Sequence, residues 1–205
     1  MGRAACFLLC AILPAGCSLG EGEGAVSSDK LSVEGCWNGP FDLGPDFFGA
    51  VPYRRTLDIR VQHGGDLEEV SDGVMVLVDD IDAVANSLGV PSRVGMPAGV
   101  RPIGVPVVKD PAPPIVHLTL YLNRSCHAQN TALYSTDGTV TFHSIFNGDP
   151  NEADADKRLT HGEFSDVTVA DPRDMAADGT VRNASHIRGW FRFYFQRGQP
   201  AQPFP

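Results

Sequence analysis

Residues 186–197, HIRGWFRFYFQR, alternate in period two, with Ile187, Phe191, Phe193 and Phe195 on one side and Arg188, Trp190, Arg192 and Tyr194 on the other. Successive side chains of a β-strand point to opposite faces, so this pattern specifies a half-buried strand and is incompatible with a helix. Gly189 falls on the Phe side, which predicts a bulge or room for a neighbouring aromatic ring. The same period recurs in residues 53–63, where Leu57, Ile59 and Val61 oppose Asp58, Arg60 and Gln62. It recurs again in residues 115–123, with Val116, Leu118, Leu120 and Leu122 on one face. Shorter runs at 74–78, 131–135, 139–146 and 162–169 read as further strands, and Asp137-Gly138 between two of them predicts a hairpin. Residues 79–89, DDIDAVANSLG, read as one short helix ending at Gly89 or as loop. Many short strands with turn residues between them predict an all-β fold, a single antiparallel sandwich or barrel-like domain.

One long connection interrupts this pattern. Residues 91–114 hold seven prolines, which remove amide donors and exclude an interior strand. The segment reads as an extended ribbon, and its apolar residues, among them Val94, Met96 and Ile103, predict packing on the domain surface. It is either a strap covering one sheet face or a lid or partner-binding ribbon.

Composition narrows the function classes. A 42% hydrophobic and 20% charged chain is that of a globular protein. A net charge of −9 without a basic cluster argues against nucleic acid and anionic headgroups as partners.

The N-terminus carries an address. Arg3 precedes an apolar run from Ala4 to Leu13, and Ala15 and Gly16 lead into Cys17. This is the three-part layout of an export signal, too short to span a bilayer as a permanent helix. An ordinary secretory signal with a chance cysteine has the same layout, and Cys6 and Cys10 show that the segment holds cysteines anyway. The ending Ala15-Gly16-Cys17 resembles the lipobox of bacterial lipoproteins, with Pro14 where that family usually carries Leu. The resemblance implies a signal peptide over residues 1–16 and acyl chains such as palmitate on Cys17. It further implies attachment to the membrane through those chains alone and, with Ser18 in place of Asp, the outer membrane of a bacterial envelope. Residues 17–32, rich in Gly, Ser and Glu, then read as the acylated cysteine and a flexible tether, and residues 33–205 as the β domain.

Export also fixes the cysteine arithmetic. Cys6 and Cys10 leave with the signal and Cys17 is acylated, so Cys36 and Cys126 remain as a pair. In an oxidising compartment they are most simply a disulfide, worth up to about 4.6 kcal/mol by loop closure. Two buried free thiols or metal ligands are the alternatives, although the pair makes no zinc pattern.

Candidate sites are sparse. Gly16-Cys17-Ser18-Leu19-Gly20 fits G-x-S-x-G but straddles the signal cleavage point, where no strand-turn-helix elbow forms. Asp149, Asn151, Asp154 and Asp156 gather oxygen ligands of the kind calcium takes, without the spacing of an EF-hand, and read as a solvated turn. Asp79, Asp80 and Asp82 read as a strand end or helix N-cap. His63, His117, His127, His143, His161 and His186 form no close metal pair in sequence, so no metal or cofactor is expected. His161 with Glu163 and Asp166 is the one candidate acid/base group, and no catalytic residue is assigned.

Two resemblances bear on function. Gly35-x-Trp37 resembles the signature opening the first strand of lipocalins, which implies a late arginine, Arg192 or Arg197, packed on the tryptophan. Residues 151–164, NEADADKRLTHGEF, and the C-terminal residues 189–205 resemble surface lipoproteins of myxobacterial type, which implies no particular activity. The leading expectation is a non-enzymatic binding or structural lipoprotein. It would meet an envelope protein through the 91–114 ribbon and the exposed aromatics Phe47, Phe48 and Trp190. The second is a lipocalin-like carrier of a small apolar ligand in a cavity lined by Phe191, Phe193 and Phe195, and the third is a hydrolase.

Overall fold

The computed structural model describes residues 22–64, 67–97, 99–100, 110–127, 131–176 and 178–195. Cys17, the export signal, Arg197 and the G-x-S-x-G match lie outside them, as do residues 101–109 of the proline-rich segment. Eleven strands form one antiparallel sheet: β1 (Gly22–Val33), β2 (Trp37–Asp42), β3 (Phe47–Tyr53), β4 (Thr56–His63), β5 (Asp72–Val78), β6 (Pro91–Arg93), β7 (Val116–Leu122), β8 (Ala132–Asp137), β9 (Thr139–Ser144), β10 (Leu159–Ala170) and β11 (Ala184–Tyr194). A short helix, α1 (Ile81–Ala85), follows β5.

The main path of the sheet runs β2-β1-β11-β10-β8-β7-β5-β4-β3, with β9 pairing β10 and β6 pairing β9. This order forces curvature. A flat path of nine strands would hold its edges roughly 38 Å apart, yet β2 and β3, the two ends, are joined by residues 43–46 alone. Such a link spans less than about 20 Å. The sheet is accordingly curled into a half-barrel, and Phe48 of β3 stacks on Phe193 of β11 with ring centroids 6.2 Å apart.

The alternating residues line the inside of the curl. Leu57, Ile59, Val61, Val76, Leu118 and Leu120 are fully buried, with Ile59 opposite Val76 and Val76 opposite Leu118. From the other side come Ile187, Phe191 and Phe193, each 1% exposed. Gly189 does admit a neighbouring ring: a Cβ there would lie 2.8 Å from Phe164 Cζ.

Three expectations change. Residues 22–32 are not a free tether, because β1 pairs with both β11 and β2 and buries Val26 and Leu31. Their alternation was masked by small polar residues at the buried positions, such as Ser28, whose hydroxyl donates to the His186 carbonyl at 2.7 Å.

Asp137-Gly138 is not a hairpin. Both β8 and β9 pair with β10, Tyr134 opposite Ala170 and Thr141 opposite Glu163, so they form one long strand bent at Gly138. Gly138 has φ +116°, and a Cβ there would stand 2.6 Å from the Asp166 carbonyl oxygen. The bend matches the irregularity in β10 between Phe164 and Val167, so both strands turn the barrel corner together.

Phe47 and Phe48 are not surface aromatics. They are 7% and 6% exposed, Phe47 beneath the Arg60 guanidinium and Phe48 in the space left by Gly22 and Gly24.

The proline-rich segment starts as β6, with Pro91 as the first residue of a short outermost strand. Val94 is then buried, and the Gly95 carbonyl accepts from Ser135 Oγ and lies 2.8 Å from His117 Nδ1. Arg93 Nη1 reaches Asp110 Oδ2 at 3.1 Å, closing the base of the segment. Its described parts therefore act as a covering strap.

Cys36 and Cys126 form the expected disulfide, with Cα atoms 5.7 Å apart. It ties the β1–β2 turn to the turn after β7, across the curl. Asp72 prepares that second turn: its carboxylate accepts from the backbone N–H groups of Arg124 and Ser125, each at 3.0 Å, and from Ser125 Oγ.

Candidate functional site

The outer face of the sheet over β1, β11, β10 and β9 carries an open groove of about 500 Å³, within the size range of small-ligand sites. Period-two geometry places Trp190 at its centre, 38% exposed, opposite Ala25 on β1 and Glu163 on β10. Ala25 is too small to cover the indole, so its flank stays open. Thr141 lies beyond Glu163, and Ser27, Thr139 and Ser165 complete the polar walls. The side chains of Ser27, Thr139, Thr141 and Ser165, and the Trp190 indole N–H, have no hydrogen-bond partner among the described residues.

The two charged side chains that line the groove, Arg188 and Glu163, are paired. Arg188 holds Asp29 with both Nη atoms, at 2.8 and 2.5 Å, and keeps that carboxyl below its ordinary range. Arg192 pairs with Glu23 at 2.8 Å, and His186 Nδ1 lies 2.8 Å from Asp166 Oδ1. His143 Nε2 lies 3.0 Å from Glu163 Oε1. Two smaller depressions lie along β11 on either side of the groove, one beside Arg188 and Lys30, the other beside Arg192 and Tyr194.

Of the sequence candidates, the structure brings His161 and Glu163 onto one face, while Asp166 pairs with His186 instead. It also brings together two imidazoles that sequence spacing keeps apart: the rings of His143 and His161 lie 4.7 Å apart. Partial burial pushes the His161 pKa down, His143 and Arg192 push it further the same way, and Glu163 and Glu23 oppose. No nucleophile with a hydrogen-bonded base is formed at this cluster, and among the described residues no three His, Cys, Asp or Glu side chains are disposed to hold a metal ion.

The acidic 147–156 loop closes on a guanidinium. Arg158 bonds the Asn147 carbonyl and Glu152 and lies 3.6 Å from Asp154, the one calcium candidate it meets. Asp149 Oδ1 accepts from the Asn151 N–H at 2.8 Å in a solvated turn, and Asp156 is exposed. Asp80 caps α1 by accepting from the Ala83 N–H and pairs with Arg55, whereas Asp79 faces buried His117 at 3.1 Å.

Among the described residues, no arginine packs on Trp37 as the lipocalin resemblance implies. Trp37 packs edge-on to Phe41 with its indole N–H donating to the Pro40 carbonyl, while Arg192 faces Glu23. The Phe191 ring meets Phe142, and Phe195 stacks on Phe146 at 4.1 Å, so these aromatics pack against one another in the core.

Sequence reasoning found Trp190 but missed its surroundings. Ala25 and Ser27 sat in the supposed tether, and Thr139 and Thr141 beside the supposed hairpin. No family model matches the chain, and neither a curated protein nor a solved structure does.

Proposed function

We propose that the chain is an envelope-anchored lipoprotein that binds its target without transforming it, and that the target seats on the Trp190 face. The observation that carries the reading is the half-exposed indole held in a groove whose polar side chains have no protein partner and whose charges are already paired. Rigid aromatic anchors with few rotamers are efficient contact residues. With Phe47 and Phe48 buried and the described ends of the proline-rich segment packed on the domain, the open Trp190 groove supports this face as the contact surface. The lipobox-like ending at Cys17 supports the anchor, and the disulfide fits an oxidising compartment. Phe191, Phe193 and Phe195 are buried against other rings and do not line the groove, which favours this reading over a carrier that binds its ligand on that aromatic face.

Hydroxyl-radical footprinting tests it, comparing the protein in native envelopes with the same protein purified in detergent. Trp190 is expected to be protected in envelopes while Tyr53, 63% exposed on the distant β3–β4 turn, is not. Equal oxidation of Trp190 in both samples would overturn the reading. For the anchor, Cys17→Ser is expected to abolish acyl labelling and membrane association.

A further inference from the structure

We infer that the occupant of the Trp190 face is a neutral polysaccharide lying along β11. This rests on the binding reading above and names its ligand class.

Three observations select that chemistry. The first is shape. The depressions at Arg188, Trp190 and Tyr194 follow one strand, and Trp190 and Tyr194, 44% exposed, lie on the same face. Four residues of strand separate the two aromatic rings by about 13 Å. That spacing suits an extended chain that meets two platforms and leaves its other side in water, better than a compact molecule.

The second is polarity. A pyranose ring has an apolar C–H face and a rim of hydroxyls. Trp190 offers a flat apolar surface, and Ser27, Thr139, Thr141 and Ser165 offer hydroxyls around it. Glu163 beside the indole supplies an acceptor for sugar hydroxyls, and Arg188 a donor.

The third is charge. Both arginines on this face of β11 are neutralised by carboxylates, Arg188 by Asp29 and Arg192 by Glu23, in a chain of net charge −9. A nucleic acid or other polyanion needs a row of uncompensated cations along its path, whereas this face offers the single Lys30 beside two arginines already paired. A peptide adding as a strand needs an open sheet edge, whereas β11 is paired on both sides, to β1 and β10.

The test is isothermal titration calorimetry of the purified full chain with dextran, mannan and xylan as neutral probes and polyphosphate as the anionic probe. Saturable binding to at least one neutral probe is expected, unchanged by added salt. Trp190→Ala should weaken it about tenfold or more and Tyr194→Ala less. Trp190→Phe, which keeps a platform, should retain most of it, separating loss of the ring from loss of the fold. Binding to polyphosphate alone that collapses with salt, or no response to any neutral probe, would overturn the inference. If Trp190 is nevertheless protected in the envelope footprint, the binding reading survives and only the ligand class falls. If the footprint also fails, both fall.

Discussion

The Phe164 ring stands where a side chain at Gly189 would be: a Cβ there would lie 2.8 Å from Phe164 Cζ and 2.4 Å from the Ala25 carbonyl oxygen. This contact sets the floor of the Trp190 groove, because it fixes how closely β1, β11 and β10 approach at that row. Gly189→Ala is therefore expected to lower stability by about 1–3 kcal/mol, as overpacking against backbone does. Urea denaturation with an unchanged midpoint would contradict the packing account.

The disulfide is the second constraint on the curl, joining turns 90 residues apart in sequence. Replacing both Cys36 and Cys126 by Ser is expected to cost about 2–4 kcal/mol, close to what a long closed loop gives. Asp72→Ala should also lower stability in the protein that keeps its disulfide, since it leaves the Ser125 amide without its acceptor and the Arg124 amide with the Ser71 carbonyl alone. Denaturation with and without reductant measures both effects.

A buried hydroxyl network lies beneath the sheet at the opposite side. Tyr121 Oη donates to Gln62 Oε1 at 2.7 Å, and Gly73 leaves room for the phenol, where a Cβ would stand 2.3 Å away. Burial pushes the Tyr121 pKa strongly upward, so the phenol stays a donor at any ordinary pH. Tyr121→Phe is expected to cost about 0.5–1.5 kcal/mol by removing this buried hydrogen bond. Gly73→Ala should be worse, and a thermal midpoint equal to wild type for either variant would count against the network.

The pH dependence follows from His161. Its folded pKa is lowered by partial burial, then by His143 on β9 and Arg192 on β11, against Glu163 on its own strand and Glu23 on β1. A lowered histidine pKa means that the unfolded chain binds more protons, so the stability it contributes is present above the ordinary value of 6.5 and is lost as pH falls toward the folded value. His161→Asn is expected to flatten the decline in stability between neutral and mildly acid pH. Parallel stability curves for the two proteins would refute the assignment.

The fold was legible where alternation is carried by large side chains. Leu57, Ile59 and Val61 in β4, the four aliphatics of β7 and the phenylalanines of β11 each announced a face, and all of them are core. β1 was not legible, because its buried positions include Ser28 and its half-buried ones Ala25 and Ser27, leaving little contrast in hydropathy. Asp137-Gly138 misled because a glycine at φ +116° serves a barrel corner as well as a hairpin, and only the pairing partner distinguishes them. The groove depends on both segments, so Trp190 was visible as a residue but not as the centre of a site. The His143–His161 contact likewise needs the register of β9 on β10, which no spacing in the chain encodes.

The central claim, that the Trp190 face is the contact surface, is tested most directly by acrylamide quenching in the Trp37→Phe protein, which leaves Trp190 as the sole fluorophore of the two tryptophans. Adding envelope material from cells lacking the protein should shield Trp190, shift its emission to the blue and reduce quenching about twofold or more, as expected for an indole that becomes buried. Thr141→Arg, which fills the groove, should abolish the change. Quenching that stays the same with and without envelope material would contradict the account.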